Sequence, residues 1–275
     1  MRERAGDEIA HPDDAGSRKV AFRGGGFSPK TSRYAGWAAL VFAIALWQLA
    51  GTLALVNPVF LPTPLAILRA LVQLALSGAL WQHLAYSVLR IGTGWLLGTV
   101  AGTAVGFAIG LSTLARAVGI TFISALFPIP KIALLPLLIL WLGIGEEPKI
   151  ATIALGVFFS TAISVYSGVD AVPRNLIRMA QSFNVPFSTI VRRVIWPGAL
   201  PSILAGFRIT ASVALLLVVS AEMIGAEYGI GAFVLQAGNL MQTDQLLAGV
   251  VILSLFGLVI GWLISRLERR LLHWR

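Results

Sequence analysis

The chain contains no cysteine, which excludes disulfides and thiol chemistry and leaves the compartment open. Its three histidines, His11, His83 and His273, are too far apart in sequence to form a ligand-spaced cluster, so no metal site is expected. Charge is scarce: Asp, Glu, Lys and Arg make up 12% of the residues, about half the share of a soluble domain. Catalytic patterns are missing too. No nucleophile–base arrangement stands out, and Gly24-Gly25-Gly26 lacks the Lys-Ser/Thr of a phosphate-binding loop. The chain therefore has no visible means of hydrolysing ATP, and no cofactor is expected. A signal peptide is not expected either. The first 33 residues are polar and hold five acids, and the first apolar run is already long enough to span a bilayer.

Apolar sequence is what the chain has in excess. Hydrophobic residues make up 57%, mean hydropathy is +0.84, and long apolar runs recur. These features predict an all-α polytopic membrane protein; a β-barrel would show short alternating segments instead. Six spans are expected, roughly 35–56, 84–111, 117–142, 149–168, 203–223 and 246–266, since each crossing takes about 20 residues. Residues 1–33, rich in Gly, Asp, Arg and Ser, read as a disordered cytoplasmic tail. Residues 34–275 read as the transmembrane domain.

The net charge of +9 follows from placement and does not call for nucleic acid. The tail, the turn between spans two and three, the segment 170–201 and the C-terminus together hold sixteen of the 21 basic residues. The opposite loops hold only Arg69 and Lys149. By the positive-inside rule both termini face the cytoplasm, and an even span number agrees. Between spans one and two, Pro62-Thr63-Pro64 followed by Leu65, Leu68, Leu71, Val72 and Ala75 predicts a short helix on the outer surface.

Two spans have internal structure. The second carries Gly94, Gly98, Gly102, Gly106 and Gly110, one every fourth residue. Such a stripe lets another helix backbone approach closely; packing is the first reading and pore lining the second. The third carries Pro128, Pro130 and Pro136 with Lys131 among them, which predicts a kinked or broken helix in the bundle interior.

The polar island from Asp170 to Pro201 is the most informative stretch. It sets Arg174, Arg178, Arg192 and Arg193 against one acid, Asp170. Its middle reads as two short helices joined by a turn at Asn184-Val185-Pro186. From Arg178 the pattern is Arg-Met-Ala, three residues, Asn184, nine residues, then Val194-Ile195-Trp196-Pro197. This resembles the Glu-Ala-Ala, three residues, Gly, nine residues, Ile-x-Leu-Pro loop of ABC-importer permeases. Ala180 and Pro197 match, Val194 substitutes for Ile, and Arg178, Asn184 and Trp196 depart from the pattern. Asn is the best non-glycine residue where a turn needs positive φ. Further segments, FLPTP, IPKIALLPLLILWLGIGEEPKI and PGALPSILAGFRI…SAEMIGAEYGIG, are similar to the permeases of nitrate, sulfonate and taurine import systems.

The resemblance implies a type I ABC-importer-like bundle in the bacterial inner membrane, with 170–201 as the coupling loop. It implies a homodimer, two cytoplasmic ATPase subunits and an external solute-binding protein that delivers a small anionic solute of nitrate, alkanesulfonate or taurine type. A pyrimidine vitamin precursor stays open as substrate. It also implies that Arg178, Met179, Ala180, Asn184, Val185, Phe187, Val194 and Pro197 form the ATPase-coupling loop. There Val185, Phe187 and Ile190 are expected to enter a pocket of the ATPase. Intramembrane charges mark candidate path residues. Lys131, beside Pro130, either attracts an anionic substrate, or snorkels or pairs with a carbonyl. Glu222, near the outer end of the fifth span, holds a gate or binding-protein contact, or pairs structurally. Arg208 is expected to anchor the fifth span at the cytoplasmic interface. The competing class is an ion-coupled secondary transporter, which would need mid-membrane carboxylates or paired repeats.

Overall fold

The computed structural model describes residues 33–272; except for Arg33, the N-terminal tail assigned above as disordered lies outside the described residues, as does His273. Among the described residues every regular element is helical. The chain falls into two units that divide between Leu49 and Ala50. The described part of the first is the body of α1 (Arg33–Thr52), a 20-residue helix apolar enough to cross a membrane.

The first whole helix of the second unit is α2 (Pro64–Leu76). Thr63 caps it, its hydroxyl accepting a hydrogen bond from the Ala66 amide at 3.2 Å, and proline takes the first turn, where its missing amide costs nothing. Ile67 and Ala70 are buried while Leu65, Leu68 and Val72 stay exposed, so the helix lies with one face on the bundle. Then come α3 (Ala79–Leu111), α4 (Thr113–Leu126) and, after a 3₁₀ turn at Lys131–Leu134, α5 (Leu135–Leu142). The rest is α6 (Glu147–Asp170), α7 (Arg174–Ser182), α8 (Phe187–Ile190), a π turn (Val191–Ile195), α9 (Trp196–Gly225), α10 (Ile230–Asn239) and α11 (Thr243–Leu271). Five of the described helical segments are long and apolar enough to span, and six if the bent α4–α5 pair counts as one.

That pair bends by 84° at Pro128–Pro130. Proline removes amide donors there, and the chain continues as two short arms. The expected place for this segment was the bundle interior. Within one chain it lies instead at the edge: residues 127–130 are exposed, and only Ile123, Leu135 and Leu138 of its apolar residues are buried.

The central position belongs to α6, because small residues allow close approach on two of its faces. On one side the α3 stripe meets it in a regular register. Gly94 faces Ile153, Gly98 faces Val157, Gly102 faces Thr161, Gly106 faces Val165 and Gly110 faces Val169. A methyl group on Gly98 would lie 2.5 Å from the Ala154 carbonyl oxygen, and one on Gly102 2.6 Å from that of Phe158. Only hydrogen fits between the backbones. On the other side α9 packs against α6 through Gly156, Gly168 and Gly206, where a methyl on Gly206 would lie 2.4 Å from Ser164 Cβ.

Candidate functional site

The island is built on the cytoplasm-predicted end of this core. After α6, Pro173 opens α7, and Asn184 turns the chain with φ of +54°. The Asn184 amide donates to Gln181 O at 2.9 Å and the Val185 amide to Ala180 O at 3.1 Å, which closes the helix end. The expected second short helix is no separate element. From Phe187 the chain is helical without a break to Gly225, 39 residues in all. Pro197 sits in the first turn of α9, and the π turn just before it absorbs the register change. The second half of the island and the fifth span are thus one rod.

Packing divides the island into two faces. Ile190, Ile195, Ala199 and Ile203 form a buried core with Val165, Val169 and Val172, and Ile177, Ala180, Val185 and Val194 pack against it. Trp196 stacks on Phe107, ring centroids 5.0 Å apart. Val185 and Ile190 were expected to need a pocket on another protein; the bundle itself covers them. The most exposed apolar residues of the island are Met179, Phe183 and Phe187, 56%, 76% and 63% exposed, ahead of Leu176 and Trp196. Asp170 pairs with Arg116 of α4. Arg174, Arg178, Arg192 and Arg193 are exposed.

A second polar constellation lies at the opposite end of the bundle, around Arg90 of α3. Arg90 and Glu222 are each 1% exposed. Arg90 Nη1 donates to Glu222 Oε1 at 2.7 Å and to Tyr228 O at 2.6 Å. Its Nε and Nη2 grip Glu146, in the turn before α6, with the Nη2 bond at 2.8 Å. The other Glu222 oxygen accepts from the Gly231 amide at 2.8 Å, and the Ser87 hydroxyl donates to Oε1 at 2.7 Å. Gly229 lies against the pair with φ of +139°; a methyl there would sit 2.3 Å from Glu222 Cδ, so glycine is required twice over. Lys149 Nζ, 3.4 Å from Glu146, makes the group two cations and two anions. The Arg90 hydrogen bonds hold the Glu146 carboxyl below the ordinary carboxylate range, against a smaller desolvation effect. This network ties α3, the α5–α6 turn, α9 and the start of α10 together.

Lys131 turns back on the end of α4. Its ammonium donates to the carbonyls of Leu126, Phe127 and Ile129 at 2.9, 3.0 and 2.6 Å, and lies 4.7 Å from the Phe159 ring centroid. These carbonyls lost their helical partners at the proline break, so the lysine caps them. Lys131 and Glu222 bond to separate sets of partners. Pro130 is exposed beside the bend. Arg208 pairs with Glu268 of α11 and donates to Ser265 at 3.3 Å.

Residues 94–273 match the family of binding-protein-dependent transport system inner membrane components. The chain belongs to this family. It is 38% identical over 240 residues to the taurine transport system permease protein TauC of Escherichia coli (strain K12), covering 86% of this chain and 87% of the relative. It is 36% identical over 232 residues to the putative aliphatic sulfonates transport permease protein SsuC of Bacillus subtilis (strain 168), covering 84% of each. Among solved structures, the MetNI methionine ABC transporter in inward-facing conformations superimposes with a TM-score of 0.62 at 22% identity. The match covers 71% of this chain and 95% of that one. The fold is that of a type I ABC-importer permease, and this protein is the permease subunit of an ABC importer, a transport component.

Two parts of the permease escaped the sequence reading. Arg90, Ser87 and Glu146 were not singled out, although a lone arginine inside an apolar run is itself a signal. Its partners lie 56 and 132 residues away, and no local pattern joins them. Phe183 was missed because it reads as the last turn of an amphipathic helix.

Proposed function

We propose that this permease lines the path for a small organosulfonate of the taurine or alkanesulfonate class. An external binding protein delivers the solute, and ATPase subunits bound to the island drive transport. Two copies of the chain enclose the path between them, and both termini face the cytoplasm. The substrate class rests on the relatives of known name, whose similarity runs over most of the chain. The ATP-coupled mechanism rests on one observation: the exposed tip at Phe187 and the outer end of the fifth span at Gly225 belong to a single unbroken helix. A push on the tip is carried to the opposite end, where Glu222 and the α9–α10 turn are clamped by Arg90. A flexible loop would absorb that motion; a helical rod transmits it.

Asn184→Pro tests the coupling role. Proline fixes φ near −65° and has no amide, so it breaks the positive-φ turn and the bond to Gln181. The variant is expected to insert in the membrane but no longer to stimulate its ATPase when loaded binding protein is added. Normal stimulation in an assembled Asn184→Pro complex would remove the island from the mechanism.

The nitrate-type and vitamin-precursor substrates have no similar support among these relatives. Ion-coupled transport finds little support either, because the buried carboxylate in a described span, Glu222, is already held by a guanidinium, a hydroxyl and an amide.

A further inference from the structure

We infer that the surface of the ATPase that receives the island is an apolar pocket rimmed with acidic residues, with Arg178 as the residue that reads its charge. This rests on the docking role proposed above and adds the chemistry of the partner.

The island is cationic without internal compensation. Arg174 and Arg178 stand four residues apart on α7, where like charges face each other and repel. Arg192 and Arg193 follow on the π turn. Among the described residues none of the four has an ion-pair partner, while Asp170, the one acid of the island, is bonded to Arg116. Arg178 also stands where the resembling loop carries glutamate, so the charge at that position is reversed in this chain. Amid these charges lie Met179, Phe183 and Phe187, all exposed. They cannot turn inward, because Ile177, Ala180, Val185 and Ile190 already fill the face towards the bundle. An apolar centre with a charged rim is the anatomy of a protein interface. It needs a complement of opposite sign, since arginine facing like charge is costly.

An anionic membrane surface would satisfy the arginines as well. The geometry favours a protein pocket. Phe183 and Phe187 flank the Asn184 turn and are both exposed, while Ile177 and Ala180, the apolar stripe of α7 that would lie on lipid, pack on the bundle core. The acidic complement also makes partner choice selective: an ATPase with a basic or neutral pocket would be rejected.

The test uses the full-length permease in nanodiscs of neutral phosphatidylcholine and its purified ATPase subunit. Arg178 is exposed and unpaired, so Arg178→Glu should fold and insert as the parent does. We expect Arg178→Glu to weaken ATPase binding about tenfold or more at about 0.1 M salt, with Arg178→Gln between the two. The difference should shrink in about 1 M salt, where the screening length is near 3 Å. Equal or tighter binding by Arg178→Glu overturns the inference. If Asn184→Pro abolishes binding while Arg178→Glu does not, docking stands and the acidic rim falls. If neither variant changes binding, docking itself fails. If Arg178→Glu acts only when phosphatidylglycerol is added to the discs, the arginine reads lipid and the inference is overturned.

Discussion

Arg90→Gln breaks the buried ion pair that joins α3 to α9. The arginine side chain is 1% exposed and the Glu222 side chain 0%, so this pair is shielded from water on both sides. Removing the cation leaves Glu222 with its bonds to Ser87 and Gly231 and no counter-charge. Breaking a buried pair from one side costs about 3–5 kcal/mol, or roughly two to four orders of magnitude in a folding equilibrium. Glu146 adds little to the loss, because its side chain is 37% exposed and Lys149 remains 3.4 Å away. The double variant Arg90→Gln/Glu222→Gln removes both charges and should recover much of the single variant's loss, since neutral replacement of a buried pair is often tolerated. Unfolding in mixed micelles, followed by the fluorescence of the eight tryptophans, measures both. A single variant that loses less than about 1 kcal/mol, or a double variant less stable than the single, would refute the reasoning.

Three further outcomes are expected. Gly102→Leu should lower folding yield sharply, because even a methyl there meets Phe158 O at 2.6 Å and Thr161 Cβ at 2.8 Å, and overpacking costs about 1–3 kcal/mol before the larger side chain is counted; unchanged yield and transport would show that α3 and α6 do not touch. Gln242, exposed between α10 and α11, should lie outside, so Gln242→Cys in this cysteine-free chain should react with an impermeant thiol reagent in intact cells; labelling only after membrane disruption would invert the topology. Glu146 has a lowered carboxyl pKa in the folded protein, so its contribution is complete above the unfolded value of about 4.3 and is lost as pH falls through the folded one. Glu146→Gln should therefore flatten the acid limb of the stability profile below about pH 4, and an unchanged limb would contradict the assignment.

The spans were legible because each needs a long apolar run, and sequence carries that information locally. The α3 glycines were legible for the same reason: a period of four puts them on one face, and α6 answers with Ile153, Val157, Thr161, Val165 and Val169 in matching register. The left-handed turn at Asn184 could be expected from one residue replacing glycine. Features that depend on distant packing were not legible. The helix runs from Phe187 past both Pro197, in the first turn of α9 where its missing amide costs nothing, and Pro201, which lies inside the helix. Val185 and Ile190 sit in a polar stretch and look unpartnered, but the end of α6 covers them. The capping of Lys131 depends on an 84° bend whose direction the prolines do not specify. The Arg90 cluster draws on four separated segments, so its members appear as isolated polar residues until the chain folds.

The most direct test of the account is uptake of radiolabelled taurine into proteoliposomes holding this permease with its ATPase subunits. Binding protein would be supplied outside and ATP inside. The proposed function requires that uptake depend on both loaded binding protein and ATP, persist when ion gradients are collapsed by ionophores, and be abolished by Asn184→Pro. Uptake that follows an imposed ion gradient without ATP or binding protein would contradict it.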